Sequence, residues 1–270
     1  MTDTTTPAQG RHIALESVDN FRDMGGYRAR DGRTVRWGRL FRSGHLGNMS
    51  EACGTEMLAR DIETVIDFRS DAEKEHRPVQ WPCTWRPRYH AVPIGGNAAA
   101  WVRAMIASIA EADFPADEAR AQFLTAFKTI PIQNAPGLKT LFDILLDDHQ
   151  GNAALFHCTA GKDRTGIAAA LVLRALDIDE EQVLEDFLMT NQVVDLDTAS
   201  AALAERIGAR AGKQVTPEAV RPLVGVEADF LRAADTAIAD SFGSLSAYMR
   251  TALGLTPDRR DRLKDIYLAG

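Results

Sequence analysis

Residues 157–166 read His157-Cys158-Thr159-Ala160-Gly161-Lys162-Asp163-Arg164-Thr165-Gly166, and they restrict the fold more than any other stretch of the chain. The apolar run Ala153-Ala154-Leu155-Phe156 precedes them, and a helix-forming run follows from Gly166 to Leu176. That order predicts a strand, a tight loop and a helix N-terminus. A loop so placed turns backbone N–H groups inward and aims the positive end of the helix dipole at its centre, so it holds an oxyanion. The same field favours the thiolate of Cys158, making it a nucleophile. Arg164 can fork two N–H donors onto two oxygens of a phosphoryl group. Thr159, Ala160, Gly161 and Lys162 complete the candidate substrate cradle, and the Thr165 hydroxyl is placed to steady the thiolate as it leaves.

A Cys with Arg at the sixth following position is by itself a weak signal. Cys53 and Cys83 have Ala59 and Tyr89 there, so only Cys158 fits. With His157 before it and Gly161 and Gly166 in place, a buried structural cysteine is a poor alternative.

The decapeptide resembles the signature loop of the cysteine-dependent tyrosine phosphatases. It is most similar to the atypical bacterial and fungal tyrosine/serine phosphatases, whose loop carries Lys-Asp-Arg. Asn20-Phe21-Arg22-Asp23-Met24-Gly25-Gly26-Tyr27 resembles that family's opening, as do Leu40-Phe41-Arg42-Ser43-Gly44 and Val65-Ile66-Asp67-Phe68-Arg69-Ser70. The order and spacing match across residues 20–180. The resemblance implies hydrolysis of phosphotyrosine, extending to phosphoserine, phosphothreonine and phosphoinositides, through a cysteinyl-phosphate. It implies no metal and no organic cofactor.

The leaving oxygen of a phosphate ester needs a proton, so a carboxylic acid is expected near the loop. In dual-specificity relatives it follows the strand that here ends Val92-Pro93-Ile94, but Gly95-Gly96-Asn97 come next. Trp81-Pro82 is similar to the Trp-Pro-Asp loop of larger tyrosine phosphatases, yet the third residue is Cys83. Asp163, inside the loop, is the strongest remaining candidate, followed by Asp67 and Asp71. The alternative for Asp163 is a structural carboxylate held against Arg22 or Arg69. Asp67, Arg69 and Arg22 are also candidates to line the site. Lys162 faces phosphate or sits solvated at the rim. His157 is expected to support the loop by hydrogen bonding rather than carry protons. The six His make no His-x-x-x-His spacing, which argues against a metal site.

The chain has 270 residues, no linker-like tract and no internal repeat. Three motif blocks must converge on one site, which favours a single domain over 1–270, with residues 1–12 disordered. Strands alternating with helices predict an α/β fold: a central, mostly parallel sheet flanked by helices, with an α-rich C-terminal third. Residues 98–130 form a helical insertion. Their apolar faces read first as plain core, and the resemblance strengthens the other reading, a lid over the active site. Asp31-Gly32 marks a two-residue hairpin turn, and Asp179 with Gln182 reads as a capping box.

The net charge of −7 argues against nucleic-acid or anionic-membrane affinity. No apolar run approaches ~18 residues, so no stable membrane insertion is expected. Three Cys without Cys-x-x-Cys, and an N-terminus without a signal-peptide pattern, point to the cytoplasm, with non-classical secretion open. The expected partner is a phosphorylated protein or a phosphoinositide. Three other functions compete: a mainly phosphoinositide-directed phosphatase, a non-catalytic phosphoresidue-binding module, and a rhodanese-like sulfurtransferase. The intact pair Cys158 and Arg164 disfavours the second, and Lys-Asp-Arg-Thr-Gly after the Cys fits the third poorly.

Overall fold

The computed structural model describes residues 10–96, 98–111, 115–147 and 151–270. In chain order the elements are β1 (Arg22–Asp23), β2 (Thr34–Val35), β3 (Leu40–Ser43), α1 (Glu51–Leu58), β4 (Ile62–Asp67), α2 (Asp71–His76) and β5 (Arg88–Ala91). Then follow α3 (Ala98–Glu111), α4 (Ala116–Gln133), α5 (Ala135–Asp147), β6 (Ala153–His157) and α6 (Asp163–Ala175). The remainder is helical: α7 (Glu180–Leu188), α8 (Thr190–Val193), α9 (Leu196–Ala211), α10 (Pro217–Val224), α11 (Ala228–Phe242), α12 (Leu245–Thr251) and α13 (Pro257–Tyr267), closed by β7 (Leu268–Ala269). The fold is α/β with a mostly parallel central sheet flanked by helices, as the sequence predicts.

The main sheet has the order β1-β3-β6-β4-β5, antiparallel only between β1 and β3. β6 lies in the middle and all five of its residues are buried. Its side chains alternate between two cores, as strand geometry requires. Ala154 and Phe156 face one core with Leu40, Ile66 and the helices α5 and α6. Ala153 and Leu155 face a second core with Phe41, Val65 and Met57 of α1. A sheet covered on both faces needs strands apolar on both sides, which is what the Ala-Ala-Leu-Phe run provides. Helix α6 is buried from Arg164 to Ala175, so it is a core helix rather than an amphipathic surface one.

This topology fixes the site. The C-terminal ends of β3, β6 and β4 stand level, since Ser43 and Asp67 both pair with His157. The loops after all three strands therefore open on the same edge, where open parallel sheets place their ligands.

Local expectations fare unevenly. The turn at Asp31-Gly32 forms with Gly32 at φ +91°, but Ala29 N–H donates to Arg33 O, leaving a three-residue loop, Arg30-Asp31-Gly32. β2 then pairs with β7 at the far end of the chain. The Asp179/Gln182 capping box does not form. Asp179 binds Arg30 instead, and Gln182 bonds both backbone groups of Arg28, so the hairpin takes both side chains. Of the segment expected to be disordered, residues 1–9 lie outside the described residues. Arg11 and His12 are held: Arg11 O accepts from Asp23 N–H, and its guanidinium lies 3.8 Å from the centre of the Tyr27 ring. Asn97 and Asp113 also lie outside the described residues.

Candidate active site

Cys158 follows β6 at the floor of a cavity of about 1100 Å³. Residues 158–164 loop from the strand to the first turn of α6. Gly161 sits at φ +68°, and a Cβ there would stand 2.4 Å from the Ser43 carbonyl carbon and oxygen. Both conformation and space therefore require glycine. Gly166 is required for a different reason: a Cβ would meet the Phe187 ring at 2.8 Å.

The loop is gripped from outside. Asn20 Nδ2 donates to Gly161 O at 3.1 Å and Ala160 O at 3.4 Å, and Arg42 Nη2 donates to Gly161 O at 3.0 Å. In a trans peptide the C=O and the next N–H point opposite ways. Carbonyls of Ala160 and Gly161 held outward therefore leave the N–H groups of Gly161 and Lys162 facing in. On the rim, His45 N–H donates to Thr159 O at 3.0 Å.

Arg164 is buried and fixed by a carboxylate that the sequence reading missed. Its Nη2 lies 2.7 Å from Glu73 Oε1, and its Nη1 lies 2.8 Å from Glu73 Oε2. Glu73 belongs to the capping box of α2: Ser70 N–H and Oγ donate to its Oε2. It also accepts from the Thr159 hydroxyl. Although burial opposes ionisation, these contacts with Arg164, Thr159 and Ser70 hold its carboxyl down to about 2. The Ser70-x-x-Glu73 spacing was a visible capping-box signal, but nothing local tied it to Arg164.

The other predicted residues fall into two groups. Thr159, Ala160, Lys162, Asp163, Arg164 and Arg69 line the cavity with Cys158. Lys162 is neither solvated nor free: its ammonium donates to Asp163 Oδ1 at 2.9 Å and to Pro222 O and Gly225 O at 3.1 Å each. It also lies 4.5 Å from the centre of the Phe123 ring. Arg69 is paired with Asp67 at 2.8 Å. Thr165 Oγ1 is buried with no hydrogen-bond partner among the described residues.

His157, Asp67, Asp71 and Arg22 lie outside the cavity wall. His157 is buried behind the loop, where desolvation lowers its pKa and so keeps it neutral at pH 7. Asp67 is fully buried, bonded to Arg69 and the Tyr89 hydroxyl; although burial opposes ionisation, the pairing with Arg69 holds its pKa below the usual range. Asp71 is exposed and paired with Lys74. Arg22 is buried against Asn20, Thr190 and the carbonyl of Asp186. It thus reaches the loop through Asn20. Asp186 in turn pairs with Arg42.

Helices α3 and α4 form the far wall of the cavity, with Trp101, Phe123 and Phe127. α4 is also part of the core: Phe127 packs at 5.2 Å from Phe230 and 5.8 Å from Phe187 between ring centres. Among the described residues no cluster of three metal-ligating side chains occurs, and no described helix is long and apolar enough to cross a membrane.

A loop with inward N–H groups at the C-terminal edge of a parallel sheet, with a cysteine at its base and a clamped arginine at its end, has the form of a cysteine phosphatase loop. Residues 13–269 match the family described as "Tyrosine phosphatase family", and the chain belongs to it. It is therefore an enzyme, a protein-tyrosine phosphatase. A Cupriavidus necator protein named as a candidate tyrosine-protein phosphatase is 33% identical over 97% of this chain and 90% of its own. The triple specificity protein phosphatase PtpB of Mycobacterium tuberculosis is 28% identical over 94% of this chain and 98% of its own. Among solved structures, TpbA of P. aeruginosa is 13% identical, covering 82% of this chain and 90% of its own with a TM-score of 0.35.

Proposed function

We propose that the chain hydrolyses phosphotyrosine through a cysteinyl-phosphate, with Cys158 as nucleophile, Arg164 as phosphate clamp and Asp163 as proton donor. The observation that carries this reading is the shape of the loop. Its outer carbonyls are tied off by Asn20 and Arg42, its inner N–H groups are left for an anion, and Arg164 is fixed by Glu73 at its end.

In the first step the Cys158 Sγ–P bond forms as the P–O ester bond breaks. The loop N–H groups and Arg164 hold the equatorial oxygens, whose charge develops in the transition state. Asp163 passes its proton to the leaving oxygen. Of the carboxylates weighed for that role, it alone lines the cavity; Glu73 and Glu118 line it too, but both oxygens of Glu73 are committed to Arg164, and Glu118 stands on α4, bonded to Gln122, rather than in the loop. Water then attacks phosphorus and gives a proton to Asp163, and the S–P bond breaks to return the thiolate, steadied by Thr165. No step needs a metal or a cofactor.

The aromatic wall of Trp101, Phe123 and Phe127 supports an aryl phosphate as substrate. The triple specificity for which the M. tuberculosis relative is named supports a range wider than phosphotyrosine. Phosphoserine, phosphothreonine and phosphoinositides are the extensions to assay. Helix α3 serves as a cover over the loop, with α4 as its anchored base. The three free cysteines suit a reducing compartment, the cytoplasm.

The test is Cys158→Ser with EDTA present. Turnover of phosphotyrosine peptide should vanish while phosphate binding persists, and vanadate should inhibit the wild type. Appreciable turnover by the variant would overturn the covalent mechanism.

A further inference from the structure

Three cations on the cavity wall have a carboxylate of their own: Arg164 has Glu73, Arg69 has Asp67 and Lys162 has Asp163. Of the other two, Arg103 and Arg77, neither has one within ion-pair distance among the described residues, and Arg77 is the one next to the loop. It closes α2, the helix that carries Glu73, and lines the same cavity as Cys158.

Arg77 is nonetheless held in place. Its N–H donates to Glu73 O at 3.0 Å, and its carbonyl accepts from Arg69 Nη1 at 2.8 Å. Its aliphatic stem fills the space over Gly47, where a Cβ would stand 2.4 Å from Arg77 Cγ. A guanidinium whose backbone and stem are both fixed loses less entropy on binding a ligand.

What the guanidinium faces is informative. Its Nη1 lies 2.5 Å from His45 Nε2, while His45 Nδ1 accepts from Gly47 N–H at 3.0 Å. A neutral imidazole has one acceptor nitrogen and one N–H. Burial and the neighbouring Arg77 and Arg69 lower the His45 pKa to about 4, so the ring is neutral at pH 7. Both ring nitrogens face a donor, Gly47 N–H and the Arg77 guanidinium, and a neutral ring with one acceptor nitrogen cannot satisfy the two together. Arg77 is exposed, and its other N–H donors are open to an anionic oxygen in the cavity.

Resting on the proposed phosphotyrosine activity, we propose that Arg77 and His45 form a second anion subsite beside the phosphate loop, which selects phosphotyrosine peptides carrying an acidic side chain next to the phosphotyrosine. His45 joins it to the loop directly, since its backbone N–H is bonded to Thr159 O. The cavity is far larger than one phosphotyrosine side chain, and its opposite wall is aromatic. Trp101 and Phe123 suit an aryl ring, and Arg77 on the same cavity suits a neighbouring carboxylate. A polyhydroxylated inositol ring gains less from that wall, so the peptide is the favoured ligand.

The experiment compares kcat/KM for two phosphotyrosine peptides that differ only in having Glu or Gln on both sides of the phosphotyrosine. A charge-assisted hydrogen bond predicts a preference for the Glu peptide of roughly tenfold at low salt. That ratio should collapse toward one in Arg77→Gln and recover in part in Arg77→Lys, which keeps the charge. Equal rates on both peptides in the wild type would overturn the subsite, as would an unchanged ratio in Arg77→Gln. So would an effect of Arg77→Gln confined to soluble inositol bisphosphates. Failure to cleave either peptide would instead strike the proposed phosphotyrosine activity.

Discussion

Glu73 grips Arg164 through two parallel contacts of 2.7 and 2.8 Å, so the last residue of the phosphate loop is positioned by a helix 91 residues earlier in the chain. The fork matches guanidinium to carboxylate atom for atom, the strongest common geometry for such a pair. It leaves Arg164 little freedom before substrate arrives, which is how a site avoids reorganising during reaction.

Glu73→Gln should therefore weaken both stability and turnover. Breaking a buried ion pair on one side commonly costs ~3–5 kcal/mol, because the remaining charge is left unpaired. The pH dependence has a definite sign. With its carboxyl held at about 2, below the ordinary value of 4.5, Glu73 contributes stability that is fully present above about 4.5 and lost as pH falls through about 2. Acid unfolding of the variant, followed by circular dichroism, should show a shallower fall over that window. An unchanged acid limb would remove Glu73 as a source of stability.

Gly161→Ala tests the loop itself. A side chain at φ +68° costs ~1–2 kcal/mol, and here its Cβ would also collide with the Ser43 carbonyl. The loop must shift, and a displacement near 1 Å can cost ~10²-fold in rate. Turnover of a small aryl phosphate should fall by about that factor. Activity within a few-fold of wild type would show that the loop tolerates a different path.

The division of labour between α3 and α4 makes a separate prediction. Trp101 of α3 meets Phe123 of α4 edge-on, with ring centres 5.1 Å apart. Phe123 is in turn stacked on Phe230 at 5.7 Å. Trp101→Ala should loosen α3 while α4 stays anchored, so peroxide should inactivate Cys158 several-fold faster with little change in melting temperature. A large loss of melting temperature without faster inactivation would make α3 core rather than cover.

Cys158, Arg164 and the two loop glycines were legible because a strand-loop-helix signal is local: spacing alone sets which groups meet. Asn20 and Arg42 were visible only as members of blocks that resembled a family, and their task of holding the loop carbonyls appears once β1 and β3 lie beside β6. The Ser70-x-x-Glu73 spacing carries only a local helix-start signal, and nothing in it points to Arg164, 91 residues away. The Asp179/Gln182 pattern marked the start of α7 correctly, with Asp179 at its N-cap, but not the bonds of the box. A local cap competes with tertiary partners, and the 28–30 turn offered better ones. β2 and β7 are two residues each, too short to show a period, and their pairing joins residues 34–35 to 268–269.

Proton donation is the step where geometry narrows the sequence reading most. Asp67 is sealed behind the loop by Arg69 and Tyr89, Asp71 points to solvent, and Asp163 lines the cavity with one oxygen bonded to Lys162. Asp163→Asn keeps the size and the acceptor for Lys162 but has no carboxyl proton to give. It should slow alkyl phosphates most, by something approaching the ~10²–10⁴-fold that general acid catalysis supplies when the leaving group is poor. An aryl phosphate with a low-pKa leaving group needs little protonation and should lose far less. The basic limb of the rate–pH profile should also flatten for the alkyl substrate. Equal losses on both substrates would assign Asp163 to holding Lys162 and the loop, because a purely architectural carboxylate has no reason to distinguish one leaving group from another.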